Sequence, residues 1–277
     1  MAQPRHSISV FAYALLLLAA VFALFPVFWM VSVSFRPIVE IFRIPPAWLP
    51  PTFTLEAYLA IAKTPEYIRI FVNSYTVSAL VTLIALLMAT LAGYSFSRFK
   101  FRGTRALQFF IIGTQMVPPI ALVIPYFILV VGLKMYDTYT GLVATYTAFV
   151  LPFTTLMMTS YFNTIPTDLE EAAMVDGCTR LGALARVVVP LTLPGMVATG
   201  VYAFMLAWNE FLFAVTLTQS AHMRLVPVGI AMLMGEHAYQ WNVMMALSVT
   251  ACIPLFLIFL FLQKYLIAGL TVGAVKA

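Results

Sequence analysis

The densest group of acidic side chains in the sequence lies between residues 163 and 194. Four of the ten acidic residues of the 277-residue chain fall there: Asp168, Glu170, Glu171 and Asp176. Thr167 and Glu170 have the spacing of a capping box, in which each side chain satisfies a free backbone N–H at the start of a helix. Acidic residues in the first turn also suit the positive end of the helix dipole. The pattern predicts a short helix within this loop.

The helix is expected over residues 168–176. Ala172, Ala173 and Met174 propagate a helix at little cost, and Gly177 can adopt the left-handed conformation that ends one. A second short helix is expected from about residue 180 to residue 188, where Pro190 stops it.

The first of these helices has a small apolar patch of Leu169, Ala172 and Ala173 beside its acidic residues. Such a patch fits a groove on a partner protein. The alternative is a helix that lies on lipid headgroups, but membrane-surface helices are usually basic and this one is acidic. Docking to a partner protein is therefore the favoured interpretation.

A few polar side chains interrupt the apolar runs, and these are candidates for a translocation path. Glu210, beside Asn209, is the strongest of these candidates. A charge at membrane depth costs free energy, so its presence indicates a function or a buried partner. Its role stays open between a path or gate and a structural hydrogen bond between spans. Gln115 lies near prolines that predict a kinked helix lining a cavity, although kinks without a path role are common. Asn73, near the outer end of its span, is a further candidate.

Residues for bond-breaking chemistry are missing from the spans. The sequence contains no G-x-x-x-x-G-K-[ST] motif, so ATP binding must come from another chain. All three histidines lie outside the predicted spans, which argues against an intramembrane enzyme with a nucleophile–base pair. His222 and His237 have no nearby third ligand, so no metal site is expected. Cys178 and Cys252 are expected to stay unpaired as small packing residues.

The composition is that of a membrane protein. Hydrophobic residues make up 63% of the chain and charged residues 9%, and the mean hydropathy is +1.00. A soluble domain has about 25% charged residues. The net charge of +5 does not indicate nucleic-acid binding, because the basic residues are scattered between apolar runs and no binding motif is present.

The elements that must position these residues are six apolar runs, each close to the length of about 20 residues that a spanning helix needs. They cover about residues 9–34, 71–96, 107–133, 141–162, 195–217 and 243–262. The first is too long for a signal-peptide core and is expected to be retained. Residues 36–69, with clustered prolines and interspersed charges, are expected to form an aqueous loop. The prediction is an all-α membrane protein with one transmembrane domain over residues 1–277 and a tail over residues 263–277.

Basic residues predict the orientation of the spans. Residues 98–105 contain four cations and no acidic residue between two spans, so this loop is expected in the cytoplasm. Alternation then places both termini and the 163–194 loop in the cytoplasm as well. Nine lysines and arginines fall on that side and six on the other.

One run in the 163–194 loop resembles the EAA loop of ABC importer permease subunits. The matching residues are Glu171-Ala172-Ala173-Met174-Val175-Asp176-Gly177, then Pro190, then Pro194-Gly195. The family motif consists of E-A-A, two residues, D-G and a later proline. Cys178 stands where a small residue such as alanine is usual.

The end of the chain resembles the signature of MalG-type subunits of carbohydrate importers, which often end G-L-T-x-G-A-V-K-G. Here the run is Gly269-Leu270-Thr271-Val272-Gly273-Ala274-Val275-Lys276-Ala277, which differs only in its last residue. Trp208-Asn209-Glu210 is similar to a recurring W-N-E/D element of that family. The likeness covers most of the chain and implies the six-span permease fold of MalG and MetI with a cytoplasmic coupling helix.

The resemblance also implies partners. They are a second, MalF-like permease, two ATPase subunits that hold ATP and Mg²⁺, an extracytoplasmic solute-binding protein and the lipid of a bacterial inner membrane. This chain would bind no cofactor of its own. The implied ATPase-coupling residues are Glu170, Glu171, Ala172, Ala173, Asp176, Gly177 and Pro190. The implied tail residues reaching between the ATPase subunits are Gly269, Leu270, Thr271, Gly273 and Lys276.

The resemblance implies import of a sugar-like solute: an oligosaccharide, a monosaccharide derivative, a polyol or a glycerophosphate. No residue in the sequence selects one of them. The competing interpretation is an ion- or proton-coupled secondary transporter. Such a protein needs coupling groups within its spans, where only Glu210 qualifies, and no internal inverted repeat is evident.

Overall fold

The computed structural model describes residues 10–234 and 240–274, with the backbone alone for residues 265–274. Within those ranges the secondary structure is helical. The α-helices are α1 (Val10–Ser34), α2 (Ile38–Ile41), α3 (Glu56–Lys63), α4 (Pro65–Arg98), α5 (Thr104–Thr114), α6 (Pro119–Gly132), α7 (Tyr139–Phe162), α8 (Asp168–Val175), α9 (Arg180–Ala183), α10 (Val189–Leu191), α11 (Leu193–Trp208), α12 (Leu212–Leu217), α13 (Val226–Met232) and α14 (Trp241–Ala274). A π-helical turn over Leu184–Val188 and a 3₁₀ turn over Ala221–Met223 complete them.

Four of the described helices are long and apolar enough to cross a membrane by themselves: α1, α4, α7 and the part of α14 up to Lys264. Two further pairs qualify when each bent pair counts as one span. The total is then up to six, in agreement with the six apolar runs of the sequence.

The first bent pair is the predicted third span, 107–133. The structure ends α5 at Thr114 and begins α6 at Pro119, with an angle of 98° between them. Pro118 and Pro119 cannot donate the backbone hydrogen bonds that would continue the helix. The kink expected from the prolines is therefore a complete break.

The predicted fifth span, 195–217, is wrong as a single helix. Helix α11 ends at Trp208, and α12 begins only at Leu212. On its other side, α11 follows the helical segment 180–191 at an angle of 80°. The break between α11 and α12 falls at Asn209 and Glu210, the polar pair within the predicted run, whereas the bend before α11 lies ahead of that run.

Two other expected boundaries are corrected. The predicted aqueous loop 36–69 contains α2 and α3, and α4 begins at Pro65, six residues before the expected start of the second span. The predicted tail 263–277 is not separate from the sixth span, because α14 runs without interruption from Trp241 to Ala274.

The chain forms two compact units, of which the first comprises Met1–Pro65 and Ile230–Ile253. Arg36 belongs to this unit and is buried, with only 1% of its surface exposed. The Arg36 guanidinium donates to Ser32 Oγ and to the carbonyl of Ala47, both at 2.7 Å, and lies 5.0 Å from the ring centroid of Trp29. Burial lowers the pKa of Arg36, partly offset by the nearby charge of Glu40. These contacts fold the proline-rich segment back onto the end of α1.

The second unit comprises Glu66–Gly229 and Pro254–Ala277. Helices α4 and α7 approach each other closely at Gly93, where a Cβ atom would lie 2.9 Å from Met158 Cβ and from the backbone nitrogen of Thr159. Beside this contact lies a buried cluster that joins α4 and α7 to the π-helical turn. Its members are Ala89, Tyr94, Met158, Phe162, Leu184 and Val188. The cluster supports the segment that contains α8.

Candidate functional site

Helix α8 forms where the sequence predicts it. It runs from Asp168 to Val175, with three acidic residues in its first turn. Gly177 has φ +90°, the left-handed value expected of the glycine that ends this helix. The N–H of Cys178 bonds the carbonyl of Ala173, and the N–H of Gly177 bonds that of Met174. This pair of bonds is a Schellman motif, which satisfies carbonyls at the helix end.

The predicted capping box is not formed. Thr167 has helical backbone angles, φ −65° and ψ −28°, and its side chain makes no capping hydrogen bond. Its carbonyl instead accepts the N–H groups of Glu170 and Glu171, at 2.9 and 3.1 Å. A cap requires an extended backbone, which Thr167 lacks. The Glu170 side chain is therefore free to point elsewhere.

Glu170 points into the protein, onto the last turn of α4. It is 5% exposed, accepts a 2.7 Å hydrogen bond from the Tyr94 hydroxyl and forms an ion pair with Arg98 Nε. The side chains of the ion pair are 8% and 6% exposed. A carboxylate and a guanidinium that are both out of water interact strongly but pay a large desolvation cost.

The other nitrogens of Arg98 hold the start of the loop. Nη2 donates to the carbonyl of Ile165 and Nη1 to Ser97 Oγ, both at 2.9 Å. Ser97 Oγ in turn donates to the side-chain oxygen of Asn163 at 2.7 Å. Arg98 is one of the four cations of the 98–105 loop that predict the orientation of the spans. The structure shows that it is also a buried part of the site.

The opposite face of α8 is open. Glu171, Ala172 and Asp176 are exposed, and Val175 is 87% exposed. Ala173 is half-buried against the rest of the chain, so the predicted apolar patch is divided between the two faces. Two adjacent glutamates thus have different environments, with Glu170 inside and Glu171 outside. The helical rotation of about 100° per residue places them on different faces.

Pro190 does not stop the second short helix, which begins at Arg180 after α8. Thr179 caps this helix by accepting the N–H of Gly182 at 3.1 Å, and the helix then widens into the π-helical turn and continues through Pro190 to Leu191. Proline and π-turns are both common causes of sharp kinks. Pro190 therefore lies at the 80° bend that leads into α11.

A basic side chain attaches this second helix to α4 as well. The Arg180 guanidinium lies 5.2 Å from the ring centroid of Phe99, and the Tyr94 ring meets Phe99 edge-on at 6.2 Å. Tyr94, Arg98 and Phe99 are functional residues that the sequence pattern does not predict. The spacing in the sequence could have indicated this role, because Tyr94 and Arg98 are four residues apart and therefore share a helix face at the end of a span.

Glu210 lies in the break between α11 and α12. Its carboxylate accepts the N–H groups of Phe213 at 2.9 Å and Ala214 at 3.0 Å, which start α12. The buried hydroxyl of Tyr146 lies near this carboxylate without hydrogen-bond geometry. The neighbouring Asn209 is exposed and donates to the carbonyl of Met205 at 2.8 Å. Glu210 thus stabilises a helix start within a broken span.

The two remaining path candidates differ in their surroundings. Gln115 is exposed at the end of α5, beside the break in the third span. Asn73 is 1% exposed and fully engaged. Its amide nitrogen donates to the carbonyls of His222 and Arg224, at 2.8 and 2.9 Å, and its oxygen accepts the Tyr139 hydroxyl.

For the predicted tail residues the structure describes at most the backbone. Gly269, Leu270, Thr271 and Gly273 belong to the backbone of α14, and Lys276 lies outside the described residues. Cys178 and Cys252 are free thiols, as expected. Within residues 10–234 and 240–264, no three metal-ligating side chains are grouped at a distance that would hold an ion.

Comparison with known proteins gives consistent matches. Residues 81–272 match the family described as binding-protein-dependent transport system inner membrane component. The chain is 37% identical over 254 residues to the sulfoquinovosyl glycerol transport system permease protein SmoH of Agrobacterium fabrum, covering 91% of this chain and 89% of that protein. It is also 37% identical over 271 residues to the trehalose/maltose transport system permease protein MalG of Thermococcus litoralis, covering 94% of each.

The fold has a match among solved structures. A chain of a bacterial ABC transporter involved in the import of the acidic polysaccharide alginate aligns with a TM-score of 0.79 and 22% identity. The alignment covers 96% of this chain and 99% of that chain. The predicted permease fold is therefore confirmed.

Proposed function

Since the chain belongs to the binding-protein-dependent transport inner membrane components, we propose that α8 is the element by which a partner ATPase drives its movements. The chain is a multi-pass permease subunit of an ABC importer in the inner membrane. It works in a complex with a periplasmic binding protein, and a partner subunit hydrolyses the ATP. The chain itself needs no cofactor.

The observation that carries the proposal is the division of α8 into two faces. The inner face is fixed to α4 by the buried Glu170, whereas the outer face presents Val175, 87% exposed, beside exposed Glu171 and Asp176. A short helix with an exposed apolar side chain and flanking charges is a docking element for a groove on a partner. Because Glu170 attaches the inner face of α8 to α4, a displacement of α8 by the ATPase can be transmitted to the spans.

The residue roles follow from this division. Glu171 and Asp176 supply polar contacts to the ATPase, Ala172 lets the two backbones approach, and Gly177 supplies the turn. Glu170 and Ala173 lie on the inner side and support the helix without contacting the ATPase. Pro190 sets the bend toward α11. The tail residues Gly269, Leu270, Thr271, Gly273 and Lys276 are proposed to reach between two ATPase subunits.

The proposed orientation places α8 and both chain termini in the cytoplasm. Arg98 is bonded to Glu170, so the basic loop 98–105 lies on the same side of the chain as α8. Short basic loops remain in the cytoplasm. Six spans then bring both termini to that side.

The proposed assembly contains this chain, a second MalF-like permease, two ATPase subunits holding ATP and Mg²⁺, and the binding protein. The proposed solute is a sugar, a glycoside or an oligosaccharide, because relatives 37% identical over most of the chain transport sulfoquinovosyl glycerol and trehalose or maltose. Asn209 and Gln115 are exposed at the breaks of two spans and are the better path candidates. Asn73 and Glu210 are occupied by bonds to the protein.

A charge reversal on the outer face tests the proposal. In the intact importer, Glu171→Lys should abolish co-purification of the ATPase and lower solute uptake at least about tenfold, in line with loss of a buried interfacial contact. Glu66→Lys, at the opposite end of α4, is the matched control and should leave uptake within about twofold, as expected of a surface charge. Removal of residues 269–277 should also uncouple transport. Full uptake by Glu171→Lys with an unchanged amount of bound ATPase would refute the docking role.

A further inference from the structure

Helix α8 is connected to the spans by three routes of different stiffness. Along the chain, residues 163–167 lead back to α7, and Gly177, with φ +90°, leads to the π-helical turn and the 80° bend before α11. The third route is direct. The side chain of Glu170 meets Tyr94 and Arg98 on the last turn of α4, across a sequence separation of 72 residues to Arg98.

The direct route is short and rigid. Arg98 engages three of its nitrogens at once, with Glu170, the Ile165 carbonyl and Ser97. Both side chains of the ion pair are less than a tenth exposed, at 8% and 6%. A guanidinium presents its donors in a fixed planar fork, so the three contacts hold its orientation, which a lysine cannot reproduce.

The chain route from α8 to α11 bends where the direct route does not. A turn in the left-handed region, a π-helical turn and a proline are all local departures from the regular helical ladder. A displacement of α8 along this route passes through such departures before it reaches α11. A displacement through Glu170 passes through one ion pair into the last turn of α4, a continuous helix of 34 residues.

We propose that Tyr94, Arg98 and Glu170 form a clamp that transmits the movement of α8 to α4, an inference that rests on the proposed function. The clamp residues are positioning residues, because none of them contacts the ATPase or the solute. Transport requires that α8 and the end of α4 move together, and the clamp makes them one body. Glu170 thus connects α8 to the spans, whereas its neighbour Glu171 contacts the ATPase.

The test compares solute transported per ATP hydrolysed in the intact importer in lipid nanodiscs or proteoliposomes. The variants are Arg98→Lys, Glu170→Gln, their combination, and Tyr94→Phe. Arg102→Lys is the matched control, since Arg102 is exposed in the same basic loop and makes no ion pair within the described part of the chain. The amount of co-purified ATPase is measured for each variant.

The clamp predicts loss of coupling without loss of assembly. Arg98→Lys and Glu170→Gln should each lower the transport-per-ATP ratio about tenfold, while the ATPase still co-purifies and still hydrolyses ATP. The double variant should lose no more than the worse single variant, because the two residues act as one unit. Tyr94→Phe, which removes one hydroxyl, should lower the ratio about threefold. Arg102→Lys should leave it unchanged.

Three results would overturn the clamp. An unchanged ratio in assembled Arg98→Lys and Glu170→Gln importers would do so, as would additive losses in the double variant. If Arg98→Lys fails to assemble, Tyr94→Phe decides, and an unchanged ratio in that variant reduces the clamp to a fold anchor. Failure of the wild-type chain to co-purify any ATPase would instead refute the proposed function itself.

Discussion

Two parts of α4 are joined to distant parts of the chain by different chemistry. The junction at the C-terminal end of α4 consists of Tyr94, Arg98 and Glu170 and is called the inner junction, after the proposed orientation. It is charged and buried, and its central bond joins two side chains. The second junction, called the outer junction, lies in the N-terminal third of α4 and is built on Asn73 and Ser74, which are neutral. Asn73 donates to two backbone carbonyls, and Ser74 accepts the N–H of Val226 at 2.8 Å.

The difference shows what each junction holds. A neutral side chain that bonds backbone groups fixes the path of a loop, whatever side chains that loop has, and it avoids the cost of burying a charge. A buried ion pair costs desolvation but joins two helices through specific side chains. The outer junction therefore fixes the loop before α13, and the inner junction fixes one helix to another.

The largest effect is expected from breaking one side of the inner junction. Arg98→Ala leaves the buried carboxylate of Glu170 unpaired, which should lower the free energy of unfolding by about 3–5 kcal/mol. Denaturation of the purified chain in detergent measures it. Arg102→Ala, in the exposed part of the same loop, should stay within about 0.5 kcal/mol of the wild type. Equal losses in the two variants would contradict a buried inner junction.

Removing both charges sharpens the contrast. Arg98→Met combined with Glu170→Leu should recover most of the stability that Arg98→Ala loses, because no unpaired charge remains. The same chain should still transport poorly, since an apolar contact does not fix the orientation of α8. Recovery of transport together with stability would show that the ion pair serves the fold alone.

A smaller loss is expected at the outer junction. Asn73→Ala leaves two carbonyls and the Tyr139 hydroxyl without their partner, which should cost about 2–3 kcal/mol. Asn73→Asp should not rescue it, because a carboxylate cannot donate to the carbonyls of His222 and Arg224. Stability like that of the wild type in Asn73→Asp would show that these two donated bonds contribute little. The uptake KM should be unaffected by either variant.

The next effect concerns the charged cap at the break of the fifth span. Glu210→Gln keeps one oxygen acceptor for the N–H groups of Phe213 and Ala214 where the carboxylate has two, so about 1 kcal/mol of stability should be lost. As a helix cap, Glu210 should leave the KM and rate of uptake unchanged. A changed KM with unchanged stability would instead place Glu210 in the translocation path.

The smallest effect depends on pH. Asp137 Oδ1 accepts the N–H groups of Gln219 and Ser220, at 2.9 and 3.2 Å, near the outer junction. Burial alone would raise the pKa of Asp137, but the hydrogen bonds from Ser220 and Gln219 outweigh it and lower the pKa below its ordinary value. A lowered pKa stabilises the fold above the unfolded pKa, and this contribution disappears as the pH falls through the folded pKa.

Asp137→Asn should therefore cost about 0.5–1 kcal/mol at neutral pH. The difference between this variant and the wild type should begin to shrink below about pH 4, the ordinary pKa of an unfolded aspartate, and should vanish as the pH falls through the lower folded pKa. Unfolding measured at several pH values checks this. A difference that grows toward low pH would reverse the inferred direction of the pKa shift.

The sequence predicted local structure well and pairings poorly. The helix over residues 168–176 and its end at Gly177 follow from helix propensity and the conformational freedom of glycine, and both are found. The prediction of a capping box at Thr167 was wrong. The same residue types also suit a helical backbone at Thr167, which is what the structure shows. Which of the two fits is adopted depends on where Glu170 finds a partner, and that partner lies on α4.

By itself the sequence determined the six apolar runs, the membrane setting, the family motif and the position of α8. These depend on residue type and on spacing within a few turns, which local physics governs. The tertiary structure alone decided that Glu170 is buried and Glu171 exposed, that Arg98 belongs to the site, and that the third and fifth spans are broken. Burial of a charge depends on which residues lie opposite, and here the opposite residue is 72 positions away in the chain.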